Sequence, residues 1–401
     1  MKSAPSYVLV LDVGTTALKV IAFDQRNHPL IRVSASLEKS HPKRGWVEQD
    51  PKQFVTVSRA LLARAVREAK LDPAFCAGVG ITNQRETVIA WDRETGKPIY
   101  PAIVWEDSRT ARSCAEMRTH RETFVRRRTG LSLEAYFSAS KMAWILANVP
   151  FARTLAEQDQ LAFGTVDTWL LWHLCGHHPF VTDVTNASRT LLYNVKTMAW
   201  DSELCELFGI SEKLLAEVRP SLSAFGHLSS DIMGARPQVV AVCGDQEASM
   251  YAAMSASGGA RMCTKVTYGT GTFVMQSLGK TFALVDGFYT TPVPHGEGIS
   301  FAVEAKIDRG GKEVEPLLRH PLKLRQFLRR LARDVQAIIV KLPKKPHTLI
   351  VDGGVSRDGL VGTFQAEQSK AHIISLPMFD GTALGCAMMC WRSLTETRIL
   401  K

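Results

Sequence analysis

The stretch YVLVLDVGTTALKVIAF, residues 7–23, contains two apolar runs separated by a Gly-Thr-Thr turn. Aliphatic and β-branched runs interrupted by glycine predict a strand, a tight turn and a second strand. The same pattern returns at residues 265–275, where KVT and FVM flank YGTGT. Two such hairpins, far apart in one chain, indicate a duplicated α/β unit.

A second pattern also occurs twice. The run VVAVC at residues 239–243 precedes Gly-Asp-Gln, and LIV at residues 349–351 precedes Asp-Gly-Gly. Each pair predicts a strand, a turn and a helix. We therefore expect two domains, residues 1–250 and 251–401, with the boundary in the Ser, Gly and Ala cluster of residues 250–259. The second domain is the shorter one.

Composition places the chain among ordinary globular proteins. It has 401 residues, 45% of them hydrophobic and 22% charged, and a formal net charge of +10. A positive charge favours an anionic partner such as a nucleotide, a nucleic acid or an acidic membrane surface. No run approaches the roughly 18 apolar residues of a membrane span. The eight cysteines form no C-x-x-C pair, so we expect a reduced, cytoplasmic protein.

Much of the positive charge is local. Residues 319–345 hold nine Lys and Arg against one acid, Asp334, and their apolar positions are spaced three and four apart. This spacing predicts one amphipathic helix. We favour the solvated face of a surface helix, and an anion-contacting surface is the alternative.

Common nucleotide and hydrolase motifs are excluded. Gly-Lys-Thr at residues 279–281 ends like a Walker A loop, but Val274 stands where its first glycine belongs. Gly269-x-Gly271 lacks the third glycine of a dinucleotide motif at the same position. No G-x-S-x-G is present, and histidines and cysteines show no metal-ligand spacing.

The two hairpins can instead bind anions. Glycine turns expose backbone N–H groups, and threonine hydroxyls and a lysine add donors. Two facing turns would clamp a polyphosphate, with Asp12 and Asp245 binding Mg²⁺ or acting on a hydroxyl. The residues of these turns are Asp12, Gly14, Thr15, Thr16, Lys19, Gly269, Thr270 and Gly271.

A polar run follows the predicted strand that ends near Ile81. In this run, residues 83–87, Arg85 donates in a fork and Glu86 accepts from hydroxyls, which suits polyol recognition; a surface ion pair is the alternative. Trp105, Tyr136 and Phe273 can form apolar walls around a short carbon chain, although aromatic residues are more often part of the core.

Several ordered strings in this chain resemble the glycerol kinase branch of the FGGY carbohydrate kinase family. The resemblance is nearly continuous from about residue 7 to residue 277. The strings are LDVGTT (11–16), GITNQRET (80–87), TGKPIY (95–100), GTVDTWL (164–170), TDVTNASRT (182–190), GDQ (244–246) and YGTG (268–271).

The resemblance implies an actin-like, ribonuclease H-type ATPase fold with two α/β domains around a cleft. It implies ATP-dependent phosphorylation of glycerol to glycerol 3-phosphate, with ATP and Mg²⁺. Asp245 would be the base, and glycerol would be held by Arg85, Glu86, Trp105, Tyr136, Asp245, Gln246 and Phe273. The phosphates and Mg²⁺ would lie against the two turns, and the nucleoside near Gly311, Gly354 and Asp358.

The chain departs from the family pattern in its second half. The segment F-x-P-A-F-x-G-L-x-A-P-Y-W has no counterpart, because residues 316–322 lead directly into the predicted basic helix. Asp358 stands where the family has asparagine. A shortened second domain is therefore expected. Two other functions stay open: a non-catalytic homologue that binds polyol or nucleotide, and a kinase for another small polyol or sugar.

Overall fold

The computed structural model describes residues 6–258, 263–269, 271–295 and 298–399. The chain forms two compact units. Unit 1 contains Met1–Asp245 and Cys386–Lys401, and unit 2 contains Gln246–Gly385.

Unit 1 combines a large sheet with helices and short two-stranded ribbons. Its strands are β1 (Tyr7–Val13), β2 (Ala17–Phe23), β3 (Pro29–Ser36), β4 (Glu48–Gln49), β5 (Cys76–Asn83), β6 (Ile89–Asp92), β7 (Ala102–Ile103), β8 (Leu161–Gly164), β9 (Val181–Asp183), β10 (Tyr193–Asn194), β11 (Ala199–Trp200), β12 (Glu217–Arg219), β13 (Leu222–His227) and β14 (Gln238–Gly244). Its helices are α1 (Pro51–Glu68), α2 (Ala111–Thr129), α3 (Ser138–Asn148), α4 (Ala152–Glu157), α5 (Val166–Leu174), α6 (Val184–Ala187), α7 (Ser202–Phe208) and α8 (Ser230–Met233). Two 3₁₀ turns span Pro73–Phe75 and Glu212–Leu214.

The main sheet of unit 1 has the order β13-β14-β5-β1-β2-β3. Strands β1, β5 and β14 run parallel to one another, and β2, β3 and β13 pair antiparallel with their neighbours. Every residue of β1 is buried, as expected for a central strand covered on both faces. Helix α1 packs its apolar side, which includes Phe54 and Leu62, into this core.

Unit 2 is built on a second sheet. Its strands are β15 (Thr264–Tyr268), β16 (Thr272–Gly279), β17 (Tyr289–His295), β18 (Gly298–Ile307), β19 (Thr348–Asp352) and β20 (His372–Ser375). Its helices are α9 (Asp245–Ala256), which starts at the last residue of unit 1, α10 (Gly311–Val314), α11 (Pro321–Ile339), α12 (Leu360–Ser369) and α13 (Gly381–Ile399), which continues into unit 1. Two 3₁₀ turns span Glu315–Leu317 and Gly354–Ser356.

The two sheets repeat one topology. The order β3-β2-β1-β5-β14 in unit 1 matches β18-β16-β15-β19-β20 in unit 2, with the same parallel and antiparallel pairings. In both, a hairpin is followed by parallel strands on the far side of its first strand. The predicted duplication of an α/β unit is confirmed, and both predicted hairpins are present.

The residues expected at the domain boundary belong mostly to a helix. Helix α9 continues to Ala256, and the division between the units lies at Asp245 and Gln246. The small residues of α9 have a packing reason. A Cβ on Gly385 of α13 would lie 1.8 Å from the carbonyl oxygen of Ala248, so the two helices approach closely. The residues from Cys386 onward belong to unit 1, whereas the sequence-based division placed them in the second domain, residues 251–401.

The predicted amphipathic helix is α11. Leu328, Leu331 and Val335 are buried in the core of unit 2, as the spacing predicts. Leu322, which the same spacing placed on the apolar side, is 79% exposed because it lies in the first turn, ahead of the part that packs on the sheet. Among the described residues, no helix is both long and apolar enough to cross a membrane.

Candidate active site

The carboxyl ends of three parallel strands place the predicted site residues of unit 1 together. Asn83 at the end of β5 pairs with Val13 on β1 and with Gly244 on β14. The polar residues that follow these strands therefore meet at one edge of the sheet, the usual position of a binding site in an α/β fold. The first turn, Arg85 and Glu86, and Asp245 all lie at this edge.

Four charged groups form the centre of this edge. Arg85 Nε lies 3.4 Å from Asp245 Oδ1 and 3.9 Å from Glu86 Oε1. Arg189 Nε donates to Glu86 Oε1 at 2.6 Å. Arg85, Glu86 and Arg189 are at most 2% exposed, whereas the Asp245 side chain is 31% exposed. Two buried guanidinium groups thus balance two carboxylates, and Asp245 is the member that solvent or a substrate reaches.

Glu86 has a strained backbone. Its φ is 64°, and the N–H of Thr87 donates to the carbonyl of Arg85 at 2.8 Å, which closes a γ-turn around Glu86. A γ-turn with positive φ is rare and strained for a residue with a side chain. Ser138 Oγ supports the turn by donating to the Glu86 carbonyl at 3.1 Å. This turn sets the direction of the Glu86 carboxylate beside Arg85.

Two of the three predicted aromatic walls are adjacent. The rings of Trp105 and Tyr136 meet edge to face, with centroids 5.7 Å apart. Trp105 Nε1 donates to Thr15 Oγ1 at 2.8 Å, and the Arg189 guanidinium lies 5.5 Å from the Tyr136 ring centroid. The aromatic pair therefore joins the charged centre to the first turn.

The first turn is closed by its own glycine. Gly14 N–H donates to the carbonyl of Ala17 at 3.0 Å, so this N–H serves the hairpin rather than an anion. Thr15 is half-buried and Thr16 is exposed. Lys19 Nζ lies 3.2 Å from Asp12 Oδ2, and Asp12 is 5% exposed. A cation, a carboxylate and two hydroxyls therefore lie at the turn, and their binding of phosphates and Mg²⁺ stays a prediction.

The second turn, in unit 2, also has a glycine N–H that donates within the hairpin. Gly269 N–H donates to the carbonyl of Gly271 at 3.1 Å, and Gly311 N–H donates to the carbonyl of Gly269 at 2.7 Å. Thr270 lies outside the described residues. Gly353 approaches the turn so closely that a Cβ at its φ of 93° would lie 2.4 Å from the Tyr268 carbonyl oxygen. The hydrogen bond from the Gly311 N–H to the Gly269 carbonyl therefore places Gly311 beside the turn.

Two of the remaining predicted residues of unit 2, Gln246 and Asp358, have local hydrogen-bond partners. Gln246 Oε1 accepts from Lys265 Nζ at 3.2 Å, and Phe273 is 9% exposed on β16. Gly354 is exposed, with open space where a side chain would be. Asp358 Oδ1 accepts from the Leu360 N–H at 3.0 Å, a capping contact at the start of α12. The roles of these residues stay predictions.

A cavity of about 460 Å³ lies elsewhere in unit 1, beside β4 and the start of α1. Several of its charged groups already have partners. Lys39 Nζ pairs with Glu106 Oε2 at 2.7 Å, and Glu48 Oε1 accepts from the Tyr100 hydroxyl at 2.8 Å. Because these contacts satisfy groups that line the cavity, we place the candidate site at the strand ends.

Comparisons with known proteins identify the family of this chain. Residues 7–252 match the N-terminal domain of the FGGY family of carbohydrate kinases. A glycerol kinase from Burkholderia cenocepacia (strain HI2424) is 40% identical over 348 residues, which are 86% of this chain and 68% of that protein. The chain belongs to the FGGY family of carbohydrate kinases.

A second relative and two solved structures extend the comparison. The glycerol kinase of Chromobacterium violaceum is 42% identical over 312 residues, 77% of this chain and 62% of that protein. A crystal structure of Plasmodium falciparum glycerol kinase with ADP has a TM-score of 0.88 at 25% identity, covering 99% of this chain and 92% of that one. A gluconate kinase from Lactobacillus acidophilus, with a TM-score of 0.83 at 16% identity and coverage of 98% and 90%, shares the fold. The predicted actin-like fold is confirmed.

Sequence reasoning missed several buried polar residues of this FGGY kinase. Residues 182–190 carry part of the resemblance to the family, but no role was predicted for them, although Arg189 contacts Glu86 across 103 positions of the chain. It also missed Lys141, whose Nζ donates to the carbonyls of residues 135, 136 and 137 at 2.6, 2.8 and 3.1 Å. Burial lowers the pKa of Lys141 to about 8. The dense polar run of residues 182–190 was the signal in the sequence that could have indicated Arg189.

Proposed function

We propose that this protein phosphorylates a terminal hydroxyl of glycerol with ATP as the phosphoryl donor, which yields glycerol 3-phosphate. The observation that carries the proposal is the charged centre, in which a buried Arg85 lies between buried Glu86 and partly exposed Asp245. The relatives named glycerol kinase, at about 40% identity, favour the same substrate.

The chemistry of the centre suits a short polyol. Arg85 would donate to hydroxyl oxygens, and Glu86, held by Arg189, would accept from a hydroxyl proton. The Trp105 and Tyr136 rings would contact the carbon chain. A buried polar set of this kind discriminates strongly against analogues that lack a hydroxyl, because its groups would then lose their partners. Gln246 and Phe273 stay predicted glycerol contacts from unit 2.

Asp245 would act as the base. Its carboxylate would orient the attacking hydroxyl and accept its proton, while Arg85 holds the carboxylate in place. In a loose phosphoryl-transfer transition state the nucleophile needs positioning more than early deprotonation, so an aspartate of ordinary basicity suffices. Its partial exposure leaves room for the substrate.

The first turn fits the triphosphate and Mg²⁺. Carboxylate oxygen is the ligand that Mg²⁺ prefers, and Asp12 supplies it beside the Lys19 ammonium. Thr15 and Thr16 add hydroxyl donors. Mg²⁺, when bound, would neutralise charge on the phosphate oxygens. We propose Asp12 and Asp245 as its ligands. Predicted nucleotide contacts from unit 2 are Gly269, Thr270, Gly271, Gly311, Gly354 and Asp358.

A non-catalytic, polyol-binding or nucleotide-binding homologue is the second candidate. It is favoured by the missing counterpart of the family segment F-x-P-A-F-x-G-L-x-A-P-Y-W, because residues 316–322 pass almost directly into α11. A charged pair, Lys306 Nζ and Asp308 Oδ1 at 2.6 Å, also lies just after Glu304, where the family that the chain resembles usually continues with a glycine and an apolar stretch. A kinase for another small polyol or sugar is the third candidate.

A coupled ADP-release assay separates these functions. Purified protein is incubated with ATP and Mg²⁺ and, in turn, with glycerol, erythritol, ribitol, xylulose or gluconate. We expect release above the no-polyol background with glycerol. Release with another polyol alone would replace the substrate, and absence of release from folded protein that binds ATP by calorimetry would favour the non-catalytic homologue.

A further inference from the structure

Asp183 is a fully buried carboxylate that accepts hydrogen bonds from five donors. It ends β9 and caps α6. Its Oδ2 accepts from the N–H and Oγ1 of Thr185 at 2.9 and 2.6 Å and from Ser221 Oγ at 2.6 Å. Its Oδ1 accepts from the N–H and Nδ2 of Asn186 at 2.9 and 2.8 Å. The two oxygens thus hold three side chains, and two of these, Thr185 and Asn186, make further contacts towards the candidate site.

The first side chain, Thr185, leads to the proposed base. A hydroxyl has one proton, and a carboxylate is a stronger acceptor than the Cys243 sulfur at 3.7 Å, so Thr185 donates to Asp183. Its lone pairs then face Gly244, whose N–H donates to Thr185 Oγ1 at 2.7 Å. Gly244 is the residue directly before Asp245.

The second side chain, Asn186, leads to the substrate-binding arginine. Asn186 directs its amide N–H to Asp183, which leaves its Oδ1 as the acceptor for Asn83 Nδ2 at 2.9 Å. Asn83 Nδ2 also donates to the Gln84 carbonyl at 2.8 Å. These contacts fix the end of β5, two residues before Arg85.

We propose that Asp183 is a positioning residue that keeps Asp245 and Arg85 in register, through Thr185 on one arm and Asn186 on the other. This inference rests on the proposed function and deepens it. Its physical basis is that one carboxylate orients both side chains, so the ends of β14 and β5 are located from a common point. A misplacement of about 1 Å between a base and its substrate can lower a rate by on the order of 100-fold.

The two arms predict different kinetic defects. Thr185→Val removes the acceptor for Gly244 and should lower kcat roughly 10- to 100-fold, with the KM for glycerol within about 3-fold, because the base acts mainly in the transition state. Asn186→Leu removes the acceptor for Asn83 and should raise the KM for glycerol by roughly 10-fold or more, because Arg85 binds the ground state as well. Thr185→Ser, which keeps the hydroxyl, should restore kcat.

The matched control is Thr190→Val. Thr190 is buried in the same segment, and its Oγ1 donates to the Ala187 carbonyl at 2.7 Å, outside both arms. It should lose thermal stability comparable with Thr185→Val but keep kcat and KM. If Thr185→Val does not fold, Thr185→Ala, which avoids the extra methyl group, replaces it.

The closing experiment measures kinetics and hydrogen exchange on the same variants. We expect the amide of Gly244 to exchange at least about 10-fold faster in Thr185→Val than in Thr185→Ser or Thr190→Val. Equal kcat in Thr185→Val and Thr190→Val, in an enzyme whose wild type is active, would overturn the positioning role alone. If the wild type releases no ADP with any of the polyols, the proposed function is refuted. The exchange data would still report whether Thr185 holds Gly244.

Discussion

Replacing Arg189 by methionine tests whether the charged centre is as tightly coupled as its burial indicates. The substitution keeps the length of the side chain and removes the cation that donates to Glu86 at 2.6 Å. Two unit charges about 4 Å apart attract by about 4 kcal/mol at an effective dielectric constant of about 20. Removal of one partner from a buried pair costs about 3–5 kcal/mol, because the other charge stays buried. We therefore expect Arg189→Met to lower the free energy of unfolding by about 3–5 kcal/mol.

The assay is urea unfolding followed by tryptophan fluorescence, together with the double-mutant cycle of Arg189→Met and Glu86→Gln. Each single variant should be destabilised, and the double variant should be more stable than the sum of the two predicts. The control is Arg64→Met, because Arg64 Nε also lies close to a carboxylate, 2.7 Å from Glu68 Oε1, but with both side chains exposed by more than two fifths. It should lose at most about 1 kcal/mol. Equal losses at the buried and exposed pairs would refute the reasoning.

Three further predictions concern Arg85, Asp167 and helix α11. Arg85→Ala should reduce kcat/KM for glycerol by roughly 10- to 100-fold in steady-state assays normalised to folded protein, the range for a charge-assisted hydrogen bond of about 1.5–3 kcal/mol; unchanged kinetics would remove Arg85 from the site. Burial and the Asp183 charge raise the pKa of Asp167 to about 7. Between about pH 4 and pH 7 the folded state therefore keeps this proton, whereas the unfolded state has lost it. Stability measured by urea unfolding should therefore fall with rising pH across that window more in wild type than in Asp167→Asn, and parallel curves would contradict this. If α11 only presents a solvated basic face, the protein should elute from a heparin column below about 0.15 M salt. Retention of the protein at higher salt would favour an anion-contacting surface.

Local sequence pattern was sufficient to predict the elements that carry the site. The hairpin at residues 7–23 is predictable because apolar runs broken by Gly14 have few alternatives to a strand, a turn and a strand. Asp12 and Asp245 could be chosen as candidate site residues because each lies at the end of a predicted strand, beside a turn. These inferences need only the chain on either side of each residue.

The remaining features depend on contacts across the fold. Nothing near Glu86 in the sequence indicates that Arg189 binds it, and the three carbonyls that accept from Lys141 are set by the path of the chain before α3. The exposure of Leu322 depends on where α11 leaves the sheet. Spacing predicts a helix and its apolar side, but the end of that contact is a tertiary property.

The central claim is that Asp245 is the base for phosphoryl transfer to a polyol, and Asp245→Asn tests it most directly. Asparagine keeps the shape and polarity but cannot accept the proton. Glycerol-dependent ADP formation and ATP binding by calorimetry would be measured for wild type, Asp245→Asn and the control Asp231→Asn, whose exposed carboxylate pairs with Arg59. We expect the rate to fall by roughly 10²- to 10⁴-fold in Asp245→Asn alone, with a much smaller change in ATP affinity. Equal rates in wild type and Asp245→Asn would contradict the account.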